Sequence, residues 1–145
     1  MTFEKVRWVW MNGEIVPDDS ANVAASAALA SENIRCYQTS EGPAVFNLDE
    51  HVARLFTSAS LRGIRMPFLK NEIGSAVCQV IEANRFSSCR VRPTVFANGP
   101  TVGVAVTASP SPSPSLLSNA ARYRKHLHFV DQCFLTGAYS ALPCI

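Results

Sequence analysis

The stretch IRCYQTSEGPAVFNLDEHVARLFTSA, residues 34–59, changes its hydrophobic period halfway along. In its first half, two runs of strand-forming residues flank Ser40-Glu41-Gly42-Pro43, whose Gly and Pro are typical of a turn. After a possible cap at Asn47, the apolar residues recur at helical spacing: Leu48, Val52, Leu55, Phe56 and Ala59. The stretch therefore predicts a β-hairpin followed by an amphipathic helix that ends near Gly63.

The sequence on either side repeats both kinds of element. Asn12-Gly13 stands between two apolar runs, and this dipeptide is the strongest short-range signal for a hairpin. A second helical stripe follows the first, with Asn71 as a candidate cap and Glu72 placed to interact with the helix dipole: Ile73, Ala76, Val77, Val80 and Ile81. We expect two helices packed side by side.

Strand-like alternation returns in residues 89–96 and 102–106. It places Arg90 and Arg92 on one face of the first strand and Cys89, Val91 and Val95 on the other. Pro93 lies between them and predicts an edge strand or a bulge, because proline cannot donate to a ladder.

Three segments are expected along the chain. Residues 1–108 form an α+β lobe, a small antiparallel sheet with two packed helices. A Ser/Pro-rich tract makes residues 109–118 an extended linker. In the tail, residues 119–145, Leu127, Phe129 and Phe134-Leu135 indicate short strands, which could join this sheet or a neighbouring chain.

Composition narrows the class of partner. The chain has 145 residues, 48% of them hydrophobic, and a net charge of +2 that is scattered singly, so no nucleic-acid groove or anionic membrane is indicated as a partner. No apolar run is long enough to cross a bilayer and the amino terminus lacks a leader pattern, so we expect a cytoplasmic protein. The five cysteines form no C-x-x-C pair, and neither a disulfide framework nor a metal site is signalled. Small molecules or protein partners are the expected ligands.

Three segments in order, VWMNGEIVPDDSANV, NIRCYQTSEGPAVFNLDEHVARLFTSA and CRVRPTVFANG, carry a family resemblance. The chain resembles the amino-terminal lobe of branched-chain aminotransferases, which are fold-type IV pyridoxal-phosphate enzymes. The resemblance implies that Arg54 reaches the cofactor phosphate and that Arg92 helps to receive the substrate carboxylate. A guanidinium group suits both roles because it offers bidentate donors and keeps its charge. The resemblance also implies a homodimer, since family members pair through this lobe.

Departures from the family pattern change the expected activity. Residues 27–35 are shorter than the family's segment and lack its Tyr, Phe and Gly, and Arg90 stands where the family has Tyr. The segment that carries the imine lysine in the family is missing, and only Lys5, Lys70 and Lys125 remain. We therefore expect a truncated chain that uses no pyridoxal phosphate and is not a working transaminase.

Two functions remain open. The first is a cofactor-free enzyme, of isomerase, cyclase or addition type, that acts on a small anionic metabolite, a carboxylate or phosphate. Its candidate catalytic residues are Glu32, His51 and Tyr37, which can exchange protons when suitably placed, and its candidate ligand-binding residues are Arg54, Arg90 and Arg92. The second is a non-catalytic ligand-binding or dimerisation module that partners a full-length aminotransferase. A gene model that lacks exons is a third interpretation.

Overall fold

The computed structural model describes residues 7–18, 27–111 and 117–131. Eight strands, two α-helices and one 3₁₀ helix are found there: β1 Trp8–Met11, β2 Glu14–Pro17, β3 Ala28–Ser31, β4 Ile34–Thr39, β5 Gly42–Phe46, α1 Leu48–Leu61, α2 Lys70–Asn84, β6 Cys89–Asn98, β7 Thr101–Pro110, the 3₁₀ helix Leu117–His126 and β8 Leu127–Phe129. No helix in these ranges is long and apolar enough to cross a membrane.

The strands form one sheet in the order β2-β1-β7-β6-β4-β5-β8, with β3 pairing to β6, and every pairing is antiparallel. The predicted α+β class, an antiparallel sheet with two helices, is confirmed. Strand β8 pairs with β5 of this same sheet, so the strand expected around Leu127 and Phe129 belongs to the lobe. Phe134-Leu135 lies outside the described residues.

Both predicted hairpins are present, but the turn of the second is shorter than predicted. Asn12 and Gly13 have φ values of 50° and 104°, the left-handed conformations that an Asn-Gly turn supplies. In the second hairpin Thr39 pairs with Gly42 and Gln38 with Pro43. The turn is therefore only Ser40-Glu41, and Gly42 and Pro43, predicted as turn residues, already belong to β5.

The helices begin where the hydrophobic period predicts, but the predicted caps are wrong. Asn47 precedes α1 in a left-handed conformation, and its side chain makes no capping hydrogen bond. Helix α2 begins at Lys70, which places Asn71 inside the helix. Its first turn is closed by Glu72, whose carboxylate accepts a hydrogen bond from the Leu69 backbone N–H at 2.8 Å. A side chain three residues into a helix can do this work in place of an N-cap side chain.

One face of the sheet is covered by α1 and α2, and the main core lies between this face and the two helices. The largest side chains with less than 2% exposure are aliphatic: Ile34, Leu55, Ile73, Ile81, Val9, Val45, Val77, Val80, Val91, Val95, Val104 and Val106. We call this the helix-covered face. Burying such residues stabilises the fold by about 1.5–3 kcal/mol each.

Pro93 lies in a central strand, because β6 pairs with β7 on one side and with β3 and β4 on the other. The prediction of an edge or a bulge at this position is wrong. Ser31 opposite Thr94 and Ile34 opposite Val91 share one register, so β3 and β4 act as a single strand interrupted at residues 32–33. The missing N–H of Pro93 falls in that interruption, where no ladder bond to it is required.

Candidate functional site

The two sides of β4 and β6 present different chemistry. The backbone N–H of Glu32 donates to the Pro93 carbonyl at 3.2 Å. Glu32 and Pro93 are therefore a hydrogen-bonded pair in the register that continues into β4 and β6. Hydrogen-bonded and non-hydrogen-bonded pairs alternate along an antiparallel ladder, so the pair four positions further along β4, Cys36 and Cys89, is hydrogen-bonded too. Arg35 and Arg90 form a non-hydrogen-bonded pair, in which side chains come closest. Alternation puts the cysteines on the helix-covered face and the arginines on the other.

Glu32 lies in the interruption between β3 and β4 and points towards α1. Its Oε1 is 2.8 Å from Nδ1 of His51, and both of its carboxylate oxygens accept from Nε of Arg54 at 3.3 Å. The side chains of Glu32 and His51 are only 12% and 17% exposed, whereas that of Arg54 is 61% exposed. We call these three residues the Glu32 cluster. It ties the interrupted strand to the first helix.

The Nδ1 atom of His51 lies between an acceptor, Glu32, and a donor, Arg54. Nδ1 also lies 3.3 Å from Nη2 of Arg54, which can only donate. A carboxylate can only accept, so the shorter contact, at 2.8 Å, is a hydrogen bond in the tautomer whose Nδ1 carries the proton. Within the described residues Nε2 of His51 has no hydrogen-bond partner. That nitrogen is therefore unpaired among the described residues of the cluster.

Tyr37, the third candidate catalytic residue, lies on the opposite face from Glu32. Its ring meets Phe46 edge-on at 6.3 Å, and Phe46 in turn contacts Tyr123 at 6.4 Å and His126 at 5.8 Å. The structure thus brings Glu32 and His51 together and separates Tyr37 from them. No sequence pattern indicated this aromatic cluster, because Tyr123 and His126 belong to a charged segment distant in sequence.

Arg35, Arg90 and Arg92 are exposed on the same face of β4 and β6, and we call them the arginine face. Arg35 was missed in the sequence, although alternation along the β4–β5 hairpin could have indicated its side. Among the described residues no carboxylate lies within ion-pair distance of any of the three. Like charges directly opposite each other in a sheet are destabilising, so a bound anion would stabilise the Arg35–Arg90 pair.

Arg54 and Arg92 contact neighbouring residues but lie on different sides of the sheet. Nη2 of Arg92 donates to the Ser31 hydroxyl at 3.2 Å, whereas Arg54 forms an ion pair with Glu32, the residue that follows Ser31 in the chain. The charge of Arg54 is therefore offset by Glu32, whereas Arg92 has no carboxylate partner among the described residues. Of the three arginines singled out in the sequence, Arg54 therefore lies apart from Arg90 and Arg92.

A cleft of about 200 Å³ lies where α1 begins beside the end of the 3₁₀ helix; it is lined by Asn47, Leu48, Asp49, Glu50, Lys125, His126, Leu127 and His128. Burial lowers the pKa of His128, and the negative charge of Asp49 opposes that shift. No group of three metal-ligating side chains occurs in the described part of the chain.

The two described lysines do not complete a pyridoxal-phosphate site. The ammonium group of Lys70 lies 5.8 Å from the centre of the Phe56 ring, and Lys125 lines the cleft. Arg54, which the resemblance places at the cofactor phosphate, already donates from Nε to Glu32. Among the described residues, the contacts of Lys70 and Lys125 do not include Arg54, whose Nε is already engaged, so these residues do not fit the cofactor.

Comparison with known proteins assigns the fold and these motifs to a family. The family model for amino-transferase class IV matches residues 32–138. The chain therefore belongs to the class IV amino-transferase family. Its relatives include the branched-chain-amino-acid aminotransferase of Escherichia coli (strain K12), 36% identical over 110 residues that cover 72% of this chain and 36% of the relative. The corresponding enzyme of Pseudomonas aeruginosa is 30% identical over 102 residues, which cover 66% of this chain and 33% of the relative.

Solved structures show the same likeness. The Escherichia coli branched-chain amino acid aminotransferase matches with a TM-score of 0.66 and 30% identity, over 74% of this chain and 41% of that one. The branched-chain aminotransferase of the thermophilic archaeon Thermoproteus uzoniensis, solved with norvaline, gives a TM-score of 0.66 and 26% identity, over 75% and 42%. This chain spans about a third of the length of the curated relatives it matches.

Proposed function

We propose that this chain is an aminotransferase-type lobe that binds a small carboxylate or phosphate on its arginine face and has no transaminase activity by itself. The observation that carries the proposal is the placement of Arg35, Arg90 and Arg92 on one exposed face with no carboxylate paired to them in the described residues. Guanidinium groups bind carboxylates and phosphates through paired donors, and an anion relieves the repulsion among three like charges.

Titration calorimetry with inorganic phosphate and 4-methylvalerate tests the binding. We expect Arg92→Ala to weaken the free energy of anion binding by about 1.5–3 kcal/mol, the usual contribution of a hydrogen bond to a charged group. Arg122→Ala is the matched control, because Arg122 is an exposed arginine of the 3₁₀ helix outside the arginine face. If the wild type binds neither anion, or if both variants lose affinity equally, the proposal is wrong.

The absence of transaminase activity rests on the lysines. We expect that incubation with pyridoxal phosphate and reduction with borohydride leave no stoichiometric pyridoxyl adduct on the protein, because neither Lys70 nor Lys125 shares a contact with Arg54 in the described residues. Peptide mass spectrometry of the reduced protein measures this. A full-occupancy adduct on Lys125 would overturn this part of the proposal.

A cofactor-free enzyme is the second candidate; its small anion would bind beside Arg54, on the same side of the sheet as His51 and apart from the arginine face. What favours it is Nε2 of His51, which has no partner in the described residues while Nδ1 is oriented by Glu32. An imidazole held in this way can act as a general acid or base. His51→Gln would abolish turnover of a bound acid and leave its affinity unchanged if the enzyme proposal is right.

A homodimer is part of the same proposal. It is supported by the family resemblance and by two large apolar side chains on the surface, Leu61 and Leu69, which are 84% and 55% exposed. Exposed apolar area costs about 25 cal/mol per Å² unless a partner covers it. Light scattering at micromolar concentration should give twice the chain mass, and a monomer would contradict it.

A further inference from the structure

Two buried thiols face each other across β4 and β6. Cys36 pairs directly with Cys89, each is 1% exposed, and both are free cysteines. The pair is of the hydrogen-bonded kind, for which the Cα atoms are about 5.5 Å apart. That separation lies inside the range that disulfides adopt, about 4.4–6.8 Å. Joining the two sulfur atoms therefore requires no change of strand register.

We propose that Cys36 and Cys89 are a covalent modification site, a dithiol that a low-molecular-weight disulfide oxidises reversibly to a bond between β4 and β6. This bond staples the two strands one residue away from the Arg35–Arg90 pair. The proposal is independent of anion binding, because it rests on the opposite face of the sheet.

Access to the pair comes from its position at the end of a strand. Cys89 is the first residue of β6, and the preceding segment contains exposed Arg85 and Ser87. Cys36 donates a weak hydrogen bond to the Ser87 carbonyl at 3.7 Å. The end of a strand that adjoins an exposed segment opens locally at low free-energy cost. Opening at residues 85–88 therefore uncovers Cys89 while the rest of the sheet stays paired.

The chemistry balances with glutathione disulfide as the oxidant. The Cys89 thiolate attacks one sulfur of that disulfide, breaks its S–S bond and releases one glutathione thiolate. Cys36 then loses its proton and attacks the Cys89 sulfur, which forms the Cys36–Cys89 bond and releases the second glutathione. Two protein thiols are oxidised, one glutathione disulfide is reduced to two thiols, and the two protons pass from the protein to glutathione.

The environment of Cys36 makes this exchange slow in the closed sheet. Hydrogen bonding with Cys89, together with burial, raises the pKa of Cys36 well above its ordinary value. The thiolate is the nucleophile in exchange. Oxidation therefore proceeds through the opened strand end.

The test is a peptide map of the wild-type protein, equilibrated at graded ratios of reduced to oxidised glutathione, alkylated in denaturant and cleaved with trypsin. Cleavage after Arg35, Arg54, Arg85 and Arg90 places Cys36 in peptide 36–54 and Cys89 in peptide 86–90, each with no other cysteine. We expect a cross-linked species of these two peptides that grows with the oxidised fraction and disappears with excess reductant. If both peptides are alkylated at every ratio, or are linked only to other cysteines, the proposal is wrong.

Stability gives a second readout. The oxidised wild type should melt about 5–10 °C above the reduced protein, because the bond closes a long loop, residues 36–89. Cys36→Ala should lose this shift, and the control Arg122→Ala, at an exposed position away from the pair, should keep both the shift and the cross-link. A cross-link with no rise in melting temperature would contradict the proposal that the bond holds β4 and β6 together. This outcome can be read from the wild type alone, even if Cys36→Ala fails to fold.

Discussion

The two faces of the sheet are built by the same strands and do different work. On the helix-covered face, aliphatic side chains from α1, α2 and the sheet are fully buried, and the Glu32 cluster pairs its own charges. On the other face the exposed Arg35, Arg90 and Arg92 have no acidic partner in the described residues. The contrast teaches that one face holds the fold together, while the other carries an unbalanced charge that a ligand can use.

Neighbouring residues of β6 give the sharpest test of this contrast, and the largest expected effect. Val91 has no exposure, and Arg90 beside it points to the other side. We expect Val91→Asp to lower the free energy of unfolding by more than about 4 kcal/mol, because it buries an unpaired charge. Arg90→Gln should change it by less than about 0.5 kcal/mol. Urea unfolding measures both, and equal losses would show that the faces are not distinct.

Removing the carboxylate of the Glu32 cluster should have the next largest effect. Glu32→Gln keeps the shape of the side chain and removes the charge that accepts from His51 and Arg54. We expect a loss of about 1–3 kcal/mol in the free energy of unfolding, since hydrogen bonds to charged groups are worth about that much. Glu82→Gln, at an exposed position on α2, is the control and should change little. An unchanged stability in Glu32→Gln would mean that the cluster does not tie β3 and β4 to α1.

His128 gives a pH test of the helix-covered face. It pairs with Val45, whose side chain is buried on that face, and burial lowers its pKa despite the opposing charge of Asp49. The folded protein then binds the proton less readily than the unfolded chain, so stability falls as the pH drops below the ordinary histidine pKa of about 6.5 and is fully kept above it. We expect His128→Gln to flatten the slope of unfolding free energy against pH between about pH 5 and 7. An unchanged slope would place His128 in a solvated environment.

The smallest expected effect comes from the arginine face. Arg90→Asp replaces a pair of like charges with Asp opposite Arg35, so the free energy of unfolding should rise by about 0.2–1 kcal/mol. The gain should shrink in about 0.5 M salt, where exposed charges are screened. A loss of stability at low salt would indicate that the two side chains point away from each other. The same variant should bind phosphate more weakly if the arginine face is the ligand site.

Anion binding and pairing of the strands remain separable in these tests. Val91→Asp and Glu32→Gln act on stability through the helix-covered face, whereas Arg90→Asp changes charge on the other. A variant that alters anion affinity with an intact melting transition therefore reports on the arginine face alone.

Local sequence patterns determined the elements of this protein. Asn12-Gly13 predicted its hairpin, the spacing from Leu48 to Ala59 predicted α1, and alternation in β6 predicted a shared face for Arg90 and Arg92. These patterns succeed because the side-chain periods of helices and strands are fixed by backbone geometry. Candidate caps at Asn47 and Asn71 failed, because capping depends on the backbone conformation that the rest of the fold imposes.

Only the tertiary structure decided which residues meet. Strand β6 is central, so Pro93 lies in the gap between β3 and β4, and that gap turns Glu32 towards His51 and Arg54. The pairing of β4 with β6 joins residues more than fifty positions apart, and it sets Arg35 against Arg90 and Cys36 against Cys89. No local period encodes such pairings, because register between distant strands is fixed by the packing of the whole helix-covered face against α1 and α2.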